Sequence, residues 1–171
     1  VDAAAVVILP NNRNIIMAAQ QVIGVADRPV AVVPTTAVPE AFSALLAYDG
    51  SEDLVAVAEE MGAAAKTVRT AEVTTAVKDS KGKAGPIKTG QVIGIIDHEI
   101  EVIGSDVADV AVDVVRLIAD DGETATVLAG EGFDDAALSA LVERVAAAYP
   151  SLEVEGHRGE QPVYPVIIAV E

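Results

Sequence analysis

The sequence predicts an α/β fold, with mixed or parallel sheets and helices packed on them, arranged as two α/β stretches flanking a β-rich hairpin insert. Three observations carry this. Short apolar runs of strand length recur, and the first two stop at Pro10 and Pro34. Segments with apolar residues at helical spacing alternate with those runs in the first and last thirds. Between them, from Thr70 onward, the texture turns β-like around a stretch rich in Gly, Lys and Pro.

Taken in order, residues 5–9 form an apolar strand ended by Pro10, and Asn11 and Asn12 are suited to cap the helix that follows. Ile15, Ile16, Ala19, Val22, Ile23 and Ala26 give that helix one apolar face. Residues 30–33 are a second strand. Residues 38–48 read as a short helix with Pro39 in its first turn, broken by Asp49, Gly50 and Ser51. Residues 52–68 form another helix, with Leu54, Val57, Ala58, Met61 and Ala65 inward. Residues 72–77 are β-like, 78–90 a loop, and 91–96 and 100–103 strands around the turn Asp97-His98-Glu99. A helix over 106–119 turns Val107, Val110, Ala111, Val114 and Ile118 inward. A strand over 124–129 follows, then a helix over 134–149 with Leu138, Leu141, Val142 and Val145 inward, and strands over 152–155 and 166–170.

The 171 residues suit a single α/β domain, with possible lobes at 1–69 and 105–171 and an insert at 70–104. Hydrophobic residues make up 51% but aromatics only 3%, so the core is built from Val, Ile, Leu and Ala. With no Cys, disulfides, thiolate metal sites and cysteine nucleophiles are excluded. No apolar run approaches the roughly 20 residues of a membrane-spanning helix, and no secretory signal opens the chain, so the expected setting is cytoplasmic. The start at Val1, with a strand almost at once, suggests a piece of a longer protein whose chemistry lies upstream. A net charge of −16 repels phosphate backbones, so nucleic acid is not an expected partner. Against that background Lys66, Arg69, Lys78, Lys81, Lys83 and Lys88 face only Glu72 and Asp79, a local charge of +4. This segment reads either as a solvated hairpin or, through Lys78, Lys81, Lys83 and Lys88, as an electrostatic docking edge.

Ligands of open α/β sheets sit beyond the carboxyl ends of the strands. The candidates there are Asn11, Asn12, Arg13 and Asn14, then Thr35 and Thr36, then Gly130, Glu131 and Gly132; capping and turn duties are the competing reading. Residues 157–165 form a polar, proline-bounded loop that offers His157, Arg158, Gln161 and Tyr164 for recognition. Residues 82–89 (GKAGPIKT) have the length of a phosphate-binding loop, but Ile87 stands where its second Gly is needed and a strand follows in place of a helix. Asp106, Asp109 and Asp113 share a helix face and could hold Mg²⁺, although an N-cap, a dipole partner and a solvated carboxylate explain them as well. His98 and His157 lack a second ligand at helical spacing, and no Ser has a G-x-S-x-G setting. No catalytic or metal residue is therefore assigned.

The run Val7-Ile8-Leu9-Pro10-Asn11-Asn12-Arg13-Asn14-Ile15-Ile16, then Val32-Val33-Pro34-Thr35, Val92-Ile93-Gly94-Ile95-Ile96-Asp97, Gln161-Pro162-Val163-Tyr164-Pro165 and the closing Val170-Glu171 resembles the carboxyl-terminal domain of the large subunit of bacterial fatty acid kinases, once described as dihydroxyacetone-kinase-like. One departure is Glu160, where that family usually carries a second Gly before its Gln-Pro. The resemblance implies an amino-terminal, all-helical kinase domain upstream, which binds ATP and Mg²⁺, and a middle domain after it. It implies no cofactor in this portion. The portion itself would help dock a separate fatty-acid-binding, DegV-like subunit that presents its acyl carboxylate for phosphorylation. The alternative reading is a small-molecule-binding or enzymatic α/β domain, with Asn11, Asn12, Thr35, Gly130 and His157 converging at the strand ends.

Overall fold

The computed structural model describes residues 2–171. Contacts divide the chain into two units, Val1–Val68 and Arg69–Glu171.

In the first unit, strand β1 (Val6–Ile8) runs parallel to β2 (Val30–Val32), with Val6 opposite Val30 and Ile8 opposite Val32. A parallel pair needs a crossover, here a 3₁₀ turn at Arg13–Ile15 and helix α1 (Ile16–Val22). The helix stops short of the expected Ala26, because the chain tightens into i→i+3 bonds at Ile23 and Gly24. Helix α2 (Val38–Leu46) begins with Pro39 in its first turn, and α3 (Leu54–Ala65) is capped by Asp53, whose carboxylate accepts from the amides of Val55 and Ala56. Val33, Ala44, Val57, Met61 and Ala65 form the core of this unit, joined by Val7 and Leu9. Ala41 and Ala44 supply the buried face of α2, so α3 packs close against it.

The second unit is a six-stranded sheet ordered β7-β6-β3-β10-β8-β9. Its strands are β3 (Arg69–Thr75), β6 (Val92–Ile96), β7 (Glu99–Gly104), β8 (Thr124–Ala129), β9 (Glu153–Arg158) and β10 (Val166–Val170). All neighbours are antiparallel except β8 and β9. Helices α4 (Val107–Ile118) and α5 (Asp135–Ala148) cover one face with Val110, Val114, Ile118, Leu141 and Val145, packed on Val73, Val127 and Ile168. Both helices start on an aspartate cap, the first of them expected at Asp106. Asp106 accepts from the amide of Asp109, and Asp134 from that of Ala137.

Residues 70–104 are β-rich as expected. They supply β3, β6 and β7 to the same sheet as the later strands, and the boundary between compact units falls at 68/69. The segment 78–90, expected as a loop, contains the small hairpin of β4 (Ser80–Gly82) and β5 (Gly85–Ile87). The turn at Asp97 and His98 has φ of 50° and 68°, the left-handed pair that suits a two-residue hairpin. No helix among the described residues is long and apolar enough to cross a membrane.

Helix α4 packs closely on the sheet at Gly94, where an added Cβ would run into the side chains of Val114, Val110 and Val102. Gly94→Ala should therefore destabilise the second unit by about 1–3 kcal/mol, the usual result of overpacking, measured as a lower midpoint in chemical denaturation.

Candidate functional site

The polar residues expected at the strand ends of the first unit are tied to one another. Asn11 has a φ of 54°, and its amide donates to Thr35 Oγ1 at 3.1 Å. The Thr35 hydroxyl donates in turn to Asn11 Oδ1 at 2.7 Å. Thr35 is the one buried polar residue in the described core. The pair locks the loop after β1 to the loop after β2. Asn12 caps the 3₁₀ turn by accepting from the amide of Asn14 at 2.8 Å. The amide and hydroxyl of Thr36 both donate to the Glu40 carboxylate, at 2.6 and 2.7 Å, which ties the start of α2 to the preceding turn.

In the second unit the structure brings Gly130, Glu131, Gln161 and Tyr164 together. The Gly130 amide donates to the Pro165 carbonyl at 2.9 Å, and the Glu131 amide to the Gln161 carbonyl at 2.9 Å. Gln161 Nε2 donates to the carbonyls of Leu128 and Tyr164, at 3.0 and 3.2 Å. Gly130 is needed here, since a Cβ would strike the carbonyls of Tyr164 and Gln161. Gly132 takes the left-handed φ of 83° at the turn into α5.

His157 and Arg158 belong to the edge strand β9, not to the polar loop expected from sequence. Pairing with β8 extends the strand through Arg158, so the loop proper begins at Gly159. His157 Nε2 lies 3.2 Å from Glu155 Oε2 on the same strand. Arg158 pairs with Glu160 at 3.1 Å and also donates to the Phe133 carbonyl. Glu160 itself has a φ of 54°, a conformation that favours Gly. The convergence of Asn11, Asn12 and Thr35 with Gly130 and His157 concerns residues of two separate units, and within each unit their polar atoms serve the local bonds just described.

The acidic face of α4 resolves into three separate duties. Asp106 is the cap, Asp109 pairs with Arg144 at 2.6 Å, and Asp113 pairs with Arg116 at 3.3 Å. The lysine segment is partly neutralised in place. Lys83 pairs with Glu101, and Lys88 pairs with Asp79 at 3.0 Å, whereas Lys78 and Lys81 enter no ion pair among the described residues.

Three features escaped the sequence. Glu72 sits in the middle of β3, flanked in register by Ile167 of β10 and Ile95 of β6. Burial pushes its carboxyl above the ordinary value of 4.5, against the weaker opposing pull of the Tyr164 hydroxyl bonded to it and of His98. Tyr164 is likewise raised, by burial first and then by the Glu72 charge and hydrogen bond. The second feature is Val163, with a φ of 75°. The Tyr164 amide closes an i→i+2 bond to the Pro162 carbonyl at 2.9 Å, and Thr74 Oγ1 donates to the Val163 carbonyl at 2.7 Å. A β-branched residue in this strained γ-turn costs about 1–3 kcal/mol. The third is the outer face of α2, where Phe42, Leu45 and Leu46 are 50%, 55% and 87% exposed. Only the last had a visible signal: residues 38–46 are apolar nearly all round, which one buried face does not require.

Similar folds have been solved. A DegV family protein from Eubacterium eligens loaded with heptadecanoic acid matches 99% of this chain and 74% of its own, with a TM-score of 0.65 and 15% identity. The dihydroxyacetone kinase from C. freundii in complex with AMP-PNP and Mg²⁺ matches 90% of this chain and 35% of its own, with a TM-score of 0.59 and 13% identity. The fold class is thus the mixed α/β fold of DegV-like and dihydroxyacetone kinase proteins. The chain belongs to the FakA-like family of fatty acid kinase C-terminal domains, whose model matches residues 1–171. Uncharacterized proteins of Staphylococcus haemolyticus and of Staphylococcus aureus strain MRSA252 are 35% and 33% identical to it over 166 residues. The match takes in 96% of this chain but 30% of each relative, so the chain spans about a third of their length.

Thr35→Val keeps the shape but leaves the Asn11 amide and side-chain carbonyl without their partner. A loss of about 1–3 kcal/mol in urea unfolding is expected, against little change for the exposed Thr67→Val. Glu72 has a raised folded-state pKa, so its stabilising contribution is complete below about 4.5 and is lost as pH rises through the raised value. Glu72→Gln should remove that slope, and its stability relative to the parent should grow between pH 4 and pH 7, as followed by denaturation at stepped pH.

Proposed function

We propose that this chain is the partner-docking portion of a fatty acid kinase, which holds a separate fatty-acid-binding, DegV-like subunit in reach of an upstream kinase domain. ATP and Mg²⁺ act in that upstream domain, the acyl carboxylate is the phosphoryl acceptor, and the complex works in the cytoplasm in the supply of acyl groups for phospholipid synthesis. Family membership supports the kinase setting. The observation that carries the docking role is the outer face of α2. Phe42, Leu45 and Leu46 stand in solvent on one helix, with Tyr48 just beyond its end. Burying a side chain of this size is worth about 1.5–3 kcal/mol, so a helix that leaves three exposed gains from a protein partner that covers them. The buried side of the same helix is all small residues, which leaves its large ones outward.

The test uses the full-length kinase and its fatty-acid-binding subunit in calorimetric titration. Phe42→Asp and Leu46→Asp should each weaken binding by about tenfold or more, without lowering the melting temperature. Unchanged affinity in both variants would remove α2 as the docking face, and no binding by the parent protein would end the proposal.

A further inference from the structure

The two edges of the six-stranded sheet are finished differently. At β7 the turn of the β4–β5 hairpin bonds to the strand, the Ala84 amide donating to the Ile100 carbonyl at 3.2 Å. The pairing of β7 with β6 is also bulged at Gly94 and Ile95. The other edge, β9, has neither device. It pairs with β8 in unbroken register, it holds no proline or lysine, and five of its six residues are exposed. Folded proteins ordinarily blunt such an edge, because it invites pairing with a further strand.

The free main-chain groups of β9 can be placed. The Glu153 amide donates to the Glu123 carbonyl and the Gly159 amide to that of Ala129, both at 2.8 Å, so the odd-numbered residues turn their main chain toward β8. Alternation along a strand then turns the amides and carbonyls of Val154, Gly156 and Arg158 outward. Gly156 faces α5, where a Cβ would strike Val142 and Leu138. Glu153, Glu155 and His157 therefore share the face of the sheet away from α5.

We propose that β9 is an interface between two copies of this chain, paired antiparallel about a two-fold axis at Gly156, which joins their sheets into one. The strand's own sequence selects both the occupant and the register. Such an axis sets Gly156 opposite its mate and Val154 opposite Arg158 of the second copy. These are the residues whose main-chain groups point outward, so they form the hydrogen-bonded pairs of the new ladder. Glu155 falls opposite His157 of the second copy, twice over, at the non-hydrogen-bonded positions where side chains come closest. Within one copy His157 Nε2 already lies 3.2 Å from Glu155 Oε2, and this register gives each imidazole a second carboxylate across the axis. An axis at residue 155 would set Glu155 against Glu155, and one at residue 157 would leave Glu155 opposite Gly159. Helix α5 leaves room for the second copy. Its side toward α4 is marked by the Arg144–Asp109 pair, and the opposite flank carries the small residues Ser139 and Ala146, with Glu143 beyond them toward solvent. This surface belongs to the second unit and does not depend on α2 or on the docking reading.

The portion described contains no cysteine, so disulfide trapping in the full-length protein tests the register. Glu155→Cys and His157→Cys proteins, mixed under mild oxidation, should form a 155–157 disulfide between copies, identified by peptide mass spectrometry. Each protein alone should give no more than about a tenth of that yield, because its cysteines stand on the diagonal, about 7–8 Å apart. Amide exchange of residues 153–158 should slow as protein concentration rises. His157→Glu, at an exposed position, gathers four carboxylates about the axis and should weaken association about tenfold, read from that concentration dependence. The swapped variant Glu155→His with His157→Glu restores the pairs and should restore association. Equal trapping in the mixture and in the single proteins, exchange at 153–158 that ignores concentration, or protection there only when the fatty-acid-binding subunit is added overturns the proposal. So does His157→Glu without effect, or a swapped variant that fails to recover.

Discussion

Strand β10 joins the two halves of the six-stranded sheet. On one side it pairs antiparallel with β3, on the other with β8, and all five of its residues are buried. That burial explains the uninterrupted apolar run Val166-Ile167-Ile168-Ala169-Val170, which could not alternate as a half-exposed strand does. The register is extended past its end, where Glu171 exchanges backbone bonds with Thr124 and accepts a further one from Glu123. Once β10 is in place, the loop that leads into it is fixed from both sides. The Pro165 carbonyl accepts from Gly130 and the Val163 carbonyl from Thr74, so the turn at Val163 takes its shape from the two strands next to β10.

This placement sorts what was legible in the sequence from what was not. Elements set by local chemistry could be read directly. Asp106 caps its helix as expected, and Asp97-His98 makes the turn of a hairpin. The strands over 124–129 and 166–170 agree to the residue. Strand order could not be read, because β10 finds its neighbours by pairing over nearly a hundred residues to β3. For the same reason residues 70–104 stood apart in sequence while sharing a sheet in space. His157 was read as a loop residue because the stretch to Pro165 is polar and holds two prolines, yet pairing with β8 keeps it in the strand.

The candidate site was legible as a set of loops and not as chemistry. Asn11 with Thr35, and Gly130 with Gln161 and Tyr164, meet in the structure, but their donors and acceptors are taken up in joining loop to loop. Large apolar side chains are left exposed elsewhere, among them those on the outer face of α2 in one unit and Val77 and Val163 in the other. A net charge of −16 keeps such surfaces from joining copies of the chain at random, because every encounter between two copies begins with repulsion. Glu72 is the opposite case, a part-buried carboxyl between two isoleucines whose pKa burial raises against the weaker pull of Tyr164 and His98.

The position of β10 also sets a timetable. It follows the other five strands of its sheet in the sequence, so a ribosome delivers β3, β6, β7, β8 and β9 before the strand that unites them. At about 5–20 residues per second, the stretch from β3 to β10 takes several seconds to emerge. Until β10 arrives, β3, and β8 once it has emerged, each present an unpaired edge. A nascent chain in this state is open to trigger-type chaperones and to strand exchange with a neighbouring nascent chain, and it leaves both hazards together when its final strand zips shut.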